Sequence, residues 1–172
     1  MTGVQTCALP ISRATVFVRA MPNLPAAVRR GITGVAASAT ISAAQRAVAT
    51  TLLTSIGAVE WLPSEDAIDA VTAVSGSGPA YVFHLVEAMA AAGARLGLAP
   101  DVAERLARET VIGAGELLRQ SPLAPATLRE NVTSPGGTTA AALAVLMAAD
   151  GLTELMAQAI AAAHARAQEL SG

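Results

Sequence analysis

Residues 131–143 read NVTSPGGTTAAAL, and the rest of this 172-residue chain is best understood outward from them. A proline, two glycines and two threonines stand directly ahead of an alanine and leucine run with the composition of a helix. Two glycines cost backbone entropy on ordering, whereas a helix start needs only one capping Ser, Thr or Asp. Gly136, Gly137, Thr138 and Thr139 each bring an N–H to a helix N-terminus, where unpaired donors and the helix dipole attract an anion. A carboxylate or phosphate fits that arrangement, with a threonine hydroxyl for a second polar atom of the same ligand. A Ser-capped helix start that merely packs against a neighbour fits the same letters, and both readings stand at this stage.

Everything from Ser64 onward reads helical, punctuated by Gly and Pro. Ser64 is placed to cap a helix whose first turn carries Glu65 and Asp66. After the SGSG break at 75–78, Pro79 takes the first position of a second helix that stops at Gly93 or Gly97. Pro100 and Asp101 open a third that runs to about Gln120, and SPLAPATLREN gives a turn and a short helix. The run after Thr138 makes a long helix ending near Gly151, and 152–170 form the last. Residues 14–62 instead alternate: ATVFVRAM, GITGVAA and GAVEWL are strand-like, and TISAAQRAVATTLLTSIG brings Ile41, Ala44, Val48, Leu52 and Ile56 near one helical face. The expected fold is therefore mainly α, a helical domain at 63–172 preceded at 13–62 by the last strands and helix of a truncated α/β domain. Residues 1–12, MTGVQTCALPIS, resemble a translated sequencing adapter and are read as a non-native leader, which would place the natural start before Arg13.

Composition removes several classes of function. The chain is 53% hydrophobic, but the uncharged helix-forming run from Gly136 to Ala149 is shorter than the roughly 18–20 apolar residues of a membrane span. Net charge is −2 and every basic residue is arginine, so no basic stripe serves nucleic acid or a lipid surface. One cysteine, Cys7, excludes an internal disulfide and a cysteine zinc site, and suits a reducing cytoplasm. With 2% aromatic residues, the core must come from many small side chains, and helices apolar around most of their circumference call for neighbours that a second subunit supplies.

Other motifs carry weaker signals. In AVSGSGPAYVF, Ser75 and Ser77 either meet a ligand or cap their own helix. Met21, Pro22 and Asn23 end a strand where open α/β sheets collect ligands, and equally make an ordinary Asn turn. TVIGAGELL imitates a dinucleotide fingerprint but has Leu118 at the third glycine position. His84 and His164 lie in separate helices without partners at metal spacing, so no metal site is expected.

Taken together, VRAMPNLPAAVRRGITG, DAIDAVTAVSGSGPAYVF and LRENVTSPGGTTAAAL resemble the pyrroline-5-carboxylate reductase family, in that order, from Arg13 to the C-terminus. The chain departs from the family at Met147, where an acidic or amide residue is usual, and at its N-terminus, where the family has a glycine-rich nucleotide fingerprint. The resemblance implies a Rossmann-type domain followed by a helical domain that interlocks with a second subunit, in a homodimer or higher oligomer. It implies hydride transfer from NADPH or NADH to 1-pyrroline-5-carboxylate, giving L-proline. By the same resemblance, the substrate carboxylate lies on the turn matching Ser134, Gly136, Gly137 and Thr138, while the Thr139 hydroxyl reaches the ring nitrogen as the catalytic contact. Ser77 supports the substrate loop of the partner subunit, and Met21, Pro22 and Asn23 line the cofactor side. One rival reading is a helical dimerisation module without catalysis. Another, a related hydroxy-acid or sugar-acid dehydrogenase, is disfavoured because such enzymes commonly use a lysine and this chain has none.

Overall fold

The structure, a computed structural model, describes residues 16–171; the expected leader at 1–12 lies outside the described residues. The chain separates into two compact units that meet in sequence at Gly76 and Ser77.

The first unit holds a three-stranded sheet in the order β1 (Val18–Met21), β2 (Gly31–Ala37), β3 (Gly57–Trp61). β1 runs antiparallel to β2, with Val18 opposite Ala37 and Met21 opposite Gly34. β3 runs parallel to β2, with Gly31 opposite Gly57, and parallel neighbours require a crossover, supplied here by α1 (Ala43–Leu53). β2 is central, and Thr33, Val35 and Ala36 are almost completely buried, as expected of a strand covered on both faces. α1 begins with a capping box: Gln45 N–H donates to Ser42 Oγ, and Ser42 N–H donates to Gln45 Oε1. Trp61, at the end of β3, donates from Nε1 to Thr50 Oγ1 at 3.0 Å, and the Arg46 guanidinium lies 4.3 Å from the centre of its ring.

A short helix, α2 (Ala67–Val71), continues into a π-type segment, Thr72–Gly76. α2 presses on β2 where Gly34 has no side chain, since a Cβ there would sit 2.8 Å from Val71 Cγ1. That packing ties residues 67–76 to the sheet, and the first compact unit runs to Gly76. The Ser64 cap does not form. Asp66 occupies the N-cap without a side-chain bond, and the Glu65 carboxylate is drawn to Arg19 at 2.7 Å.

In the second unit α3 (Gly78–Arg95) and α4 (Pro100–Gln120) pack as a helical hairpin, its turn made through Gly97 in the left-handed region. Pro79 is the second residue of α3 rather than the first. α5 (Pro125–Asn131), α6 (Thr138–Leu146) and α7 (Leu152–Ser171) follow. α6 is shorter than its sequence suggests because the chain turns at Met147, and Gly151 brings its backbone so close that a Cβ would lie 2.4 Å from the Leu146 carbonyl oxygen. Among the described residues of this unit only Ala103 and Ala107 are buried, and α6, apolar on every side, buries none.

Candidate functional site

The segment between α5 and α6 explains its own sequence. Gly137 N–H donates to Ser134 C=O at 3.0 Å, and Gly136, the third residue of that turn, has φ +70°. Proline second and glycine third is the order a type II turn demands, because only glycine adopts positive φ freely. Gly137 is glycine for a different reason: a Cβ there would meet Ser134 Oγ at 2.5 Å.

This geometry alters the expected donor set. Gly137 N–H is committed to the turn, so it is not a free donor, and the helix N-cap is Gly137 rather than a serine. The amides of Thr138, Thr139 and Ala140 have no acceptor among the described residues, and Ala141 N–H is the first to close onto Gly137 C=O, at 3.2 Å. Ala140 was not singled out by its sequence, since an alanine gives no signal of its own. Three neighbouring amides at the positive end of a helix dipole form a surface suited to an anion. Gly136 faces open space, with no atom within 4 Å of where its Cβ would be. Thr139 is half-buried, whereas Thr138 and Ser134 are exposed.

Ser77, the first residue of the second unit, is the N-cap of α3 without a side-chain capping bond, and its carbonyl accepts from Ala80 N–H at 3.0 Å. His84 is exposed and paired with Glu87 at 3.0 Å on the same helix. No group of three or more His, Cys, Asp or Glu side chains among the described residues could hold a metal ion.

In the first unit, Met21 closes β1 and Pro22 follows, exposed. Asn23 then does the work of an absent strand residue. Its Oδ1 accepts from Ile32 N–H at 3.0 Å, two residues past Gly34, where β1 stops pairing, and its Nδ2 donates to Ser75 Oγ at 3.2 Å. Its amide group is thereby engaged in holding the loop and the 72–76 segment. Asn23→Ala removes the partner of an exposed strand N–H, so we expect a loss of about 0.5–1.5 kcal/mol. The melting of the first unit, followed by Trp61 fluorescence, should fall by roughly 2–10 °C.

Residues 65–170 match the family described as pyrroline-5-carboxylate reductase dimerisation. The chain belongs to this family. The pyrroline-5-carboxylate reductase of Pseudomonas aeruginosa is 49% identical over 154 residues, covering 90% of this chain and 56% of that relative. The Synechocystis enzyme is 44% identical, covering 90% of this chain and 57% of its own. Among solved structures, the Coxiella burnetii reductase is 43% identical with a TM-score of 0.88, covering 92% of this chain and 58% of that one. The Plasmodium falciparum pyrroline carboxylate reductase with NADP bound is 27% identical with a TM-score of 0.79, covering 94% and 61%. The chain spans about half the length of the curated relatives it matches. These likenesses agree with a mainly helical chain carrying a small α/β sheet. No helix of the described residues is long and apolar enough to cross a membrane.

Proposed function

We propose that this chain is the substrate-holding and subunit-pairing part of a pyrroline-5-carboxylate reductase, which reduces 1-pyrroline-5-carboxylate to L-proline with NADPH or NADH in the cytoplasm. The observation that carries the reading is the α6 tip, where Thr138, Thr139 and Ala140 offer amides without an acceptor among the described residues, beyond a left-handed Gly136. The substrate is a small ring with one carboxylate and one imine. The carboxylate rests on those amides with the Ser134 hydroxyl at its rim, the Thr139 hydroxyl reaches the ring nitrogen, and Ser77 supports the substrate loop of the partner subunit. A hydroxyl suits that nitrogen because it can accept from an N–H or donate to a lone pair. Hydride arrives from the nicotinamide at the imine carbon, so the contribution of this chain is orientation.

Met21 and Pro22, at the carboxyl end of β1, offer one wall for the cofactor. Among the described residues there is no glycine-rich strand-to-helix turn for its pyrophosphate. The link from β2 to α1 is Ser-Ala-Thr-Ile-Ser, and Gly113 and Gly115 lie inside α4. These residues alone do not fit a dinucleotide, so turnover is proposed to require a nucleotide-binding segment joined to this chain. NADPH oxidation with 1-pyrroline-5-carboxylate is the test: no rate from the 172-residue chain, and a rate from an N-terminally extended chain. A rate from the extended chain that does not depend on 1-pyrroline-5-carboxylate would contradict the assignment. In that extended chain, Thr139→Val should lower kcat/KM by about five- to hundredfold, the equivalent of roughly 1–3 kcal/mol for an unpaired polar group.

Subunit pairing is supported by the bare surface of the second unit. Phe83, Leu117, Val145 and Leu155 are each more than half exposed in the single chain. A second copy covering them gives a homodimer, which sedimentation equilibrium should report as the dominant species.

A further inference from the structure

Arg129 touches both ends of the segment that carries the amide tip. It stands in the last turn of α5, and its carbonyl accepts from Thr133 Oγ1 at 2.6 Å and from Val132 N–H at 3.3 Å, starting the turn. Its guanidinium reaches across to the far end of α6, where Nη1 lies 2.9 Å from Sδ of Met147, the residue that closes that helix. The neighbouring Glu130 carboxylate is 3.6 Å from Nη2, beyond hydrogen-bond reach.

α6 buries none of its residues, so within the chain its direction is governed by what holds its two ends. At the N-terminus that is the type II turn, whose Gly136 has the torsional freedom of a hinge. At the C-terminus it is the tight turn through Gly151 into α7 together with Arg129, whose charge also complements the negative end of the helix dipole. Nine residues of helix make a lever of about 13 Å, so release of the far end swings the amides of Thr138, Thr139 and Ala140 off a fixed ligand. A misplacement of about 1 Å is enough to degrade an oriented site.

We propose that Arg129 is a positioning residue for the amide tip and acts through Met147. The inference rests on the carboxylate reading of the turn. Because a thioether is a weak acceptor, the clamp is improvable, and an amide oxygen at 147 should tighten it.

The test is L-proline titration of the 172-residue chain by calorimetry, with helical circular dichroism and melting recorded for each variant. Arg129→Ala should raise the dissociation constant about fivefold, what one net hydrogen bond is worth, at unchanged helix content. Met147→Leu keeps the bulk, removes the acceptor and should move the constant the same way. Met147→Gln should lower it, but only while Arg129 is present. If Arg129→Ala unfolds the chain, the two Met147 variants decide. Parent-like affinity in all three overturns the proposal, as does weakening by Arg129→Ala with no response to either change at Met147, because Arg129 would then act without its partner. Gly136→Val, which disturbs the turn that aims the amides, separates the two ideas: if it weakens L-proline while the clamp variants are silent, the clamp fails and the carboxylate site stands. If Gly136→Val is silent as well, the site reading itself fails.

Discussion

Gly57→Ala is expected to abolish folding of the first unit while leaving the helices of the second intact. Gly57 starts β3 with φ +149° and ψ −157°, a region open in practice only to glycine. A Cβ built there would lie 1.9 Å from the Gly31 carbonyl oxygen, on the strand to which β3 pairs. Neither atom belongs to a flexible side chain, so relief requires β3 to leave β2. Backbone strain and lost pairing together amount to about 4 kcal/mol or more, comparable to the whole stability of a small unit. The single tryptophan, Trp61, ends β3 and reports the outcome. Its emission should shift to that of a solvated indole and lose its cooperative melt, with far-ultraviolet helix signal largely retained. A parent-like Trp61 transition would show that this corner of the sheet yields more easily than its geometry implies.

Gly136→Val is expected to cut L-proline binding, and turnover of an N-terminally extended enzyme, by about a hundredfold. No neighbouring atom blocks the new side chain, since the space there is open. The penalty comes from φ +70°, which a β-branched residue tolerates poorly and escapes by rearranging the turn that aims the helix. The new methyl groups also occupy the approach to the amides. Gly136→Asn is the control, because asparagine accepts the left-handed region, and it should retain most of the binding. Equal loss in the asparagine and valine variants would point to a need for bare backbone rather than for the turn conformation.

The parts legible in the sequence are those fixed by short-range chemistry. α4 begins and ends where Pro100, Asp101 and Gln120 indicated, since an N-terminal proline and acid followed by a periodic face are local signals. The Pro-Gly turn is equally local. The end of α6 was not legible: alanine and leucine on every side give no period, and the stop comes from the backbone approach of Gly151 to Leu146. The role of Asn23 depends on Ile32 and Ser75, partners that no short motif connects. At the candidate site, the free amides differ from those the motif pointed to. Hydrogen bonding across the turn consumes the Gly137 amide and leaves that of Ala140 in its place. The contact between Arg129 and Met147 joins helices through a pairing that residue types alone do not announce.

The central claim is that main-chain amides at the tip of α6 hold the carboxylate of an imino acid. Its most direct test is a titration of the isotopically labelled 172-residue chain with L-proline, followed by amide proton and nitrogen shifts. Saturable downfield movement of the Thr138, Thr139 and Ala140 amide protons, with the Gly137 amide moving less because it stays bonded to Ser134, is the predicted result. Saturable shifts confined to other residues, with those three amides stationary, would contradict it.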